Sequence, residues 1–473
     1  MHSISNLFLS SQELITDFST PIAWAGLVQI LILVCALLVG NTLRRKVPIL
    51  RKSLMPTALI GGLVLLLLKL IPAVDNLIDK NAMGVITYHC LALGVIALVL
   101  KKGKKEQNKN VGKIVETGLV TGATYMIQAV VGLAITAVLF VIGKITNPGA
   151  GVLLALGYGQ GTGQAYTYGA MYENPENFSS PLQGGTTFGL SIATIGFFVA
   201  SVVGVIYMNI LRKRGKLQHV EGRKGLSEKL EDYVHHNDIP NNESIDKLTM
   251  NVCLVLFVYG IVYLVMRLIN VKLMWGFNFL LGSLFGIIVK FVLDFFQKKN
   301  IVHRNLTNDY LLDRIGGVTF DVMIIAGVAA IDLNEFSKMW WQLLIICAVG
   351  AVVTFIYLRF ACNELYKGYE QEGFFSMFGM LTGTASNGII LLREIDPAFE
   401  TPASTNLVLS SLPAIAFGGG LLLVLGYCPK GLTQTLVTIG ILFVAFIVFT
   451  LIIFRRKIFK KCKKVKTQTS TIE

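Results

Sequence analysis

Apolar runs of about 20 residues separated by short polar bursts recur along nearly the whole chain, the length at which a helix crosses a hydrocarbon core about 30 Å thick. The pattern predicts an all-α polytopic membrane protein. The runs fall at Ile22–Asn41, Leu54–Pro72, Gly84–Leu100, Ile114–Gly143 and Gly184–Leu211. Beyond a polar stretch from Arg212 to Lys247 come Thr249–Ile269, Gly276–Phe296, Gly316–Ile331, Trp341–Ala361, Pro402–Gly426 and a last run, Leu432–Phe454, which makes about 11 spans. Two further segments, Gly149–Tyr172 and Phe374–Pro397, are moderately apolar but carry Gly, Thr, Ser, Asn or Gln throughout. The expected organisation is an extracytoplasmic N-terminus (1–21), a five-span repeat (22–211), a cytoplasmic linker (212–247), a second five-span repeat (248–428), an added span (429–454) and a basic cytoplasmic tail (455–473).

Charge turns this list into a topology. The 42 Lys and Arg outnumber the 28 Asp and Glu, for a net charge of +14. These bases lie in bursts between apolar runs rather than on amphipathic helices, so they argue for membrane orientation and against a nucleic-acid partner. With the N-terminus outside, and with both Gly-rich segments returning to the side they entered, about 35 of the 42 basic residues lie on the cytoplasmic side. If Gly149–Tyr172 crossed, the Arg212–Lys216 cluster would move outside. Residues 149–172 and 374–397 are therefore expected to be re-entrant, a shape that survives in lipid only where protein or a wet cavity satisfies its peptide groups. The N-terminus has no Lys or Arg ahead of its first apolar run, so that run is expected to stay as a span in the cell membrane.

The two Gly-rich segments match each other 220 residues apart: Gly159 with Gly379, Thr162 with Thr382, Gly163 with Gly383 and Ala165 with Ala385. Each follows the fourth span of its set and is followed by a polar–Pro step, Asn174–Pro175 or Asp396–Pro397. Sets of five spans start on opposite sides, so the halves are expected to be inverted repeats, an arrangement that puts a substrate near the midplane between broken helices. The same small-residue string also serves plain helix packing.

GYGQGTGQA at Gly157–Ala165 resembles the first signature loop of the bacterial glutamate:sodium symporters, and FGMLTGTASNG at Phe378–Gly388 resembles the second. The resemblance runs from about Ile22 to Gly426. It implies two five-span inverted repeats, two re-entrant loops meeting at the substrate, a homodimer, and sodium-coupled uptake of glutamate by an elevator-like motion. The chain departs from that pattern at Gln160, where the family often has His; at Ser410–Gly420, which lacks an acidic residue; and in its extra final span.

Glycine lets backbone approach a ligand, and freed carbonyls, amides and hydroxyls suit a hard cation and a carboxylate. The substrate is expected at Gly159, Gln160, Gly161, Thr162, Gly163, Gln164, Gly383, Thr384, Ser386 and Asn387, and the coupling sodium at Thr162, Thr382, Thr384 and Asp321. Asp321 has two readings, an ion ligand or an interfacial partner of Arg314. Lys69, Arg267 and Lys290 are expected to snorkel from span ends, and His89 to be packed or hydrogen-bonded. The seven cysteines show no metal or disulfide spacing. No GxSxG, HExxH or Walker motif is present, so an ion gradient rather than an enzymatic reaction is expected to drive the protein, with no cofactor beyond sodium. Another carboxylate or a neutral amino acid is the alternative cargo, and an ion channel is a further reading.

Overall fold

The computed structural model describes residues 21–101, 111–217, 241–301, 306–397 and 400–469. Most of the expected N-terminal stretch and much of the central linker lie outside these residues. Within them the chain is helical, with no strand. The main helices are α1 (Pro21–Lys46), α2 (Thr57–Leu68), α3 (Lys80–Leu100), α4 (Val111–Val141), α5 (Leu153–Gln160), α6 (Thr162–Glu173) and α7 (Gly185–Lys213, with a π turn at Val199–Val203). They continue with α8 (Asn241–Ile269), α9 (Asn278–Lys298), α10 (Asp309–Ala329), α11 (Leu333–Leu365), α12 (Glu370–Thr382), α13 (Ala385–Arg393), α14 (Ala403–Leu409), α15 (Ser411–Val424) and α16 (Leu432–Thr469).

Eight helices among the described residues are long and apolar enough to cross a membrane. Three expected spans differ. Leu54–Pro72 contributes only the 12-residue α2, bounded by Pro56 and by a new short helix that starts at Pro72. Gly316–Ile331 is the inner part of the 21-residue α10, whose first turns hold Asp309, Asp313 and Arg314. Pro402–Gly426 is divided at Ser410 into α14 and α15, and Pro413 in the first turn of α15 has no N–H to extend a helix from before it.

Polar caps fix where helices start. Asp79 accepts from Asn81 N and Ala82 N at α3, Asn308 from Leu311 N at α10, and Asp332 from Asn334 N and Glu335 N at α11. Lys69 does not snorkel. It is buried, and its ammonium donates to Ala329 O (3.0 Å) and Ile331 O (2.8 Å), with Asp75 at 3.8 Å. There it meets carbonyls that the end of α10 leaves without helical partners.

The helices form two bodies. In one, α3 packs on α10 and α9, α2 on α1 and α10, and α8 on α9. In the other, α4 is surrounded by α11, α15, α16 and the two Gly-rich segments, and α7 runs beside α5, α6 and α11. Each chain half therefore gives three helices to the first body and its Gly-rich segment to the second. Contact between the bodies runs mainly through α6, which lies against α3 and α10.

Glycines set the closest approaches in the second body. A β-carbon on Gly151 would lie 2.0 Å from the Gly132 carbonyl group, and Thr136 Oγ1 bridges the same junction by donating to Pro148 O (2.7 Å) and accepting from Gly151 N (3.0 Å). Gly151→Val is expected to destabilise the detergent-solubilised protein by about 2 kcal/mol or more, whereas Gly260→Ala, where a β-carbon meets nothing within 4 Å, is expected to leave the thermal midpoint unchanged or slightly raised. Equal midpoints for the two variants would show that the α4 junction is not tightly packed.

Candidate functional site

Each Gly-rich segment is a helix, a break and a second helix, and hydrogen bonds locate their feet. The first starts at Pro148, where a β-carbon on Gly149 would lie 2.7 Å from Pro429, and it finishes near Tyr172, whose hydroxyl donates to Leu425 O (2.8 Å). Both feet thus stand on the Leu425–Lys430 corner. Its depth follows from α4: Thr136 bonds Pro148 at the foot, and Tyr125 OH, three turns away, donates to Gly159 O (3.1 Å).

The second segment enters from the opposite end. Near its first foot Tyr366 OH donates to Thr117 Oγ1 (2.8 Å), and at its second Glu394 O accepts from Arg212 (3.0 Å). Its limbs α12 and α13 lie side by side, since a β-carbon on Gly379 would come within 2.7 Å of Gly388 Cα. Phe374, Phe375 and Phe378 hold the entering limb in an aromatic cluster, with Phe374 stacked on Phe378 at 5.5 Å and edge-on to Phe355 and Tyr207 at 5.2 and 5.3 Å.

The breaks meet. Gly161 turns the chain with φ of 82°, in the left-handed region that glycine tolerates. A β-carbon there would lie 3.7 Å from Thr384 Cγ2 and 4.0 Å from Gly383 O. The interruptions, Gly161 and Gly383–Thr384, are 222 residues apart, two more than the offset that aligned the strings. The helix starts of α6 and α13 and the helix ends of α5 and α12 all gather at this point. Amide groups without helical partners and carbonyls without helical partners are therefore side by side, carrying partial positive and negative charge.

The expected residues divide as follows. Thr162 is fully buried, packed on Gly327 of α10, and Gln164 is 2 % exposed. Thr162 Oγ1 and Gln164 Oε1 have no hydrogen-bond partner among the described residues. Thr384 caps α13, its hydroxyl donating to Asn387 Oδ1 (3.2 Å) and accepting from Asn387 N (3.4 Å), while Asn387 Nδ2 is buried without a partner among the described residues. Thr382 OH donates to Phe378 O (2.7 Å), Gln160 is half-buried and Ser386 exposed. Gly159 lies under the Tyr125 ring, and Gly163 admits Leu91 and Met323, each about 2.8 Å from where its β-carbon would be. Gly163 is thus a packing position between the bodies. Asp321 is exposed on α10, six residues before the Gly327 that meets Thr162, about 9 Å along the helix. Arg44 of α1 is the cation whose charge acts on it, while Arg314 stacks over Tyr310 at 5.0 Å.

Three further residues complete the surroundings: Gln128 on α4, Thr354 on α11 and Ser191 on α7. Gln128 Nε2 donates to Leu381 O (2.8 Å) and Thr354 Oγ1 (3.0 Å), and Gln128 Oε1 and Ser191 Oγ are buried with no partner among the described residues. The sequence marks them only as polar residues scattered through apolar runs. An unmet buried polar atom costs about 1–3 kcal/mol. Five of them around two helix breaks, on Thr162, Gln164, Gln128, Ser191 and Asn387, describe a place built to be completed by ligand, ion or water.

A polar recess of about 330 Å³ opens between the bodies at the end where the first segment stands, lined by Lys80, Tyr166, Glu173, Asn174 and Thr186 among others. Beside it Lys80 of α3 lies 3.4 Å from both Asp332 and Glu335, while Thr187 OH donates to Glu335 (2.8 Å) and accepts from Asp332 N (3.2 Å). Burial alone would raise the Asp332 carboxyl, but the backbone N–H groups of Glu335 and Asn334 and the Lys80 ammonium hold it below the usual carboxylate range. This cluster ties the first body to the second. Partly exposed pairs contribute little individually, so Lys80→Met is expected to speed maleimide labelling of a cysteine placed at Tyr166, with native cysteines replaced, by about twofold to fivefold. An unchanged rate would mean that the pair does not restrain the bodies.

A family model described as the sodium/glutamate symporter matches residues 23–373. The match takes in the whole first segment and ends inside α12, ahead of the second break. No curated protein and no solved structure matches the chain.

Proposed function

The chain belongs to the sodium/glutamate symporter family, and we propose that it carries glutamate, or a closely related amino acid, into the cell together with sodium by alternating access. The observation that supports this reading best is the tip-to-tip meeting of Gly161 with Gly383–Thr384, ringed by buried polar atoms without partners. The starts of α6 and α13 suit the substrate carboxylates, and Gln164 and Asn387 add side-chain amides. Thr162, Thr382 and Thr384 offer hydroxyl oxygen to sodium. Asp321 lies outside this ring; a role for it is better sought along the path between the bodies, opposite Arg44.

The halves act in this reading as inverted repeats with re-entrant segments 149–172 and 374–397, the first entering from outside and the second from the cytoplasm, in a homodimer whose N-terminus is outside. A neutral amino acid or another carboxylate is the second reading, favoured by one observation: the side chains identified around the tips, from Tyr125 and Gln128 to Thr354 and Asn387, are all neutral. A channel would need an open axial path, and two opposed segments in one chain suit alternating access better.

In proteoliposomes, uptake of labelled glutamate is expected to collapse when an inward sodium gradient is replaced by potassium; uptake indifferent to the exchange would overturn the coupling. Thr162→Val and Thr384→Val are each expected to raise the sodium concentration for half-maximal uptake by about threefold or more. Wild-type sodium dependence in both would remove these hydroxyls from the ion site.

A further inference from the structure

We propose that Gln128, on α4, supplies its side-chain carbonyl to a monovalent-cation site between the carbonyl-bearing ends of α5 and α12. The inference rests on the sodium-coupled reading above and names a residue and a position within it. The amide of Gln128 is fully buried and its orientation is determined: both Nε2 protons are used, one on Leu381 O at 2.8 Å and one on Thr354 Oγ1 at 3.0 Å. Oε1 must therefore point the other way. It does so toward α5, 3.4 Å from where a Gly159 β-carbon would sit, and it has no donor among the described residues.

The neighbours explain why no donor meets it. Gly159 O accepts from Tyr125 OH, and Leu381 O and Thr354 Oγ1 accept from Gln128 itself. The helices α5 and α12 stop at Gln160 and Thr382, so carbonyls of their last turns lack helical N–H partners, and Gln128 touches both last turns, at Gly159 and at Leu381. Gln128 spans them, with its nitrogen on α12 and its oxygen beside α5. Neutral oxygens at two negative helix ends suit a desolvated monovalent cation; divalent ions of this hardness draw on carboxylates, and among the described residues no carboxylate is seen to touch Gln128. Gly159 is required for the same reason, since a β-carbon there would strike the Tyr125 ring at 2.2 Å and push α5 away from Gln128. Cation binding here would hold the ends of both segments to α4, and so set the tips for substrate.

The test is sodium binding measured apart from transport. In purified wild-type protein, thermal stabilisation by sodium over potassium is expected to saturate. In Gln128→Met the half-saturating sodium should rise about tenfold, whereas Thr354→Val, which removes one acceptor of the amide nitrogen but leaves Gln128 Oε1 in place, should stay within about threefold of wild type. A folded Gln128→Met with wild-type sodium binding overturns the proposal. Should that variant not fold, crystals of the wild-type protein soaked in thallium decide: an anomalous peak between Gln128, α5 and α12 supports the site, and a peak only elsewhere removes it. Wild-type protein whose uptake ignores sodium would instead overturn the coupled reading itself, a different result from a sodium-dependent protein whose ion sits away from Gln128.

Discussion

Peptide groups that leave a helix inside a membrane must find partners in protein, and most of this architecture follows from that constraint at two places, Gly161 and Gly383–Thr384. Each break frees amides on one side and carbonyls on the other. The second body closes around them: Tyr125 takes Gly159 O, Gln128 takes Leu381 O, and Thr384 takes an amide of its own helix. What is left unmet, the hydroxyls of Thr162 and Ser191 and the amide atoms of Gln164, Gln128 and Asn387, is too polar to have been left to lipid and too buried to be reached by bulk water. An ion and a charged substrate can satisfy both kinds of group at once.

The same constraint shapes the division into bodies. A segment whose helix breaks in its middle needs protein around the break, and α4, α7 and α11 enclose the entering limbs, while α3 and α10 of the first body touch chiefly α6. Gly84, Gly163 and Gly327 keep that contact close: Tyr166 stands over Gly84, Leu91 and Met323 over Gly163, and Thr162 over Gly327. With the ionic cluster of Lys80, Asp332 and Glu335 at its rim, this contact suits the proposed alternating access, in which one body would shift along the other.

How much of this was legible in the sequence depended on whether the signal was local. Apolar run length pointed to eight of the long helices but not to the breaks inside the other expected spans, and glycine beside Thr, with Gln at the first interruption and Ser and Asn at the second, marked both breaks, because a backbone that leaves a helix needs such residue types where it happens. Offsets were less secure: the strings align at 220 residues while the breaks lie 222 apart, since repeated Gly and Thr can be matched in more than one register. Lys69 looked like a snorkelling lysine because nothing local announces that the end of α10, some 260 residues on, will bring carbonyls to it. Gln128 and Ser191 were invisible for the same reason, each one polar residue among several in its helix, with a meaning that comes from another segment folded against it. Asp321 showed the converse, a charge conspicuous in the sequence that the fold sets on an exposed face away from the tips.

The geometry also bears on how ion and substrate would depend on each other. Positive helix starts and negative helix ends meet within one small volume, so a cation beside α5 and α12 and an anion beside α6 and α13 would each be bound by one end of the same two breaks. Neither could be seated without drawing Gly161 and Gly383–Thr384 into the arrangement that the other requires. Such coupling is reciprocal by thermodynamic necessity: whatever factor sodium gives to substrate affinity, substrate gives back to sodium. It needs no charged side chain at the tips, which fits their neutral lining, because the opposed dipoles of four short helices already supply both signs of charge.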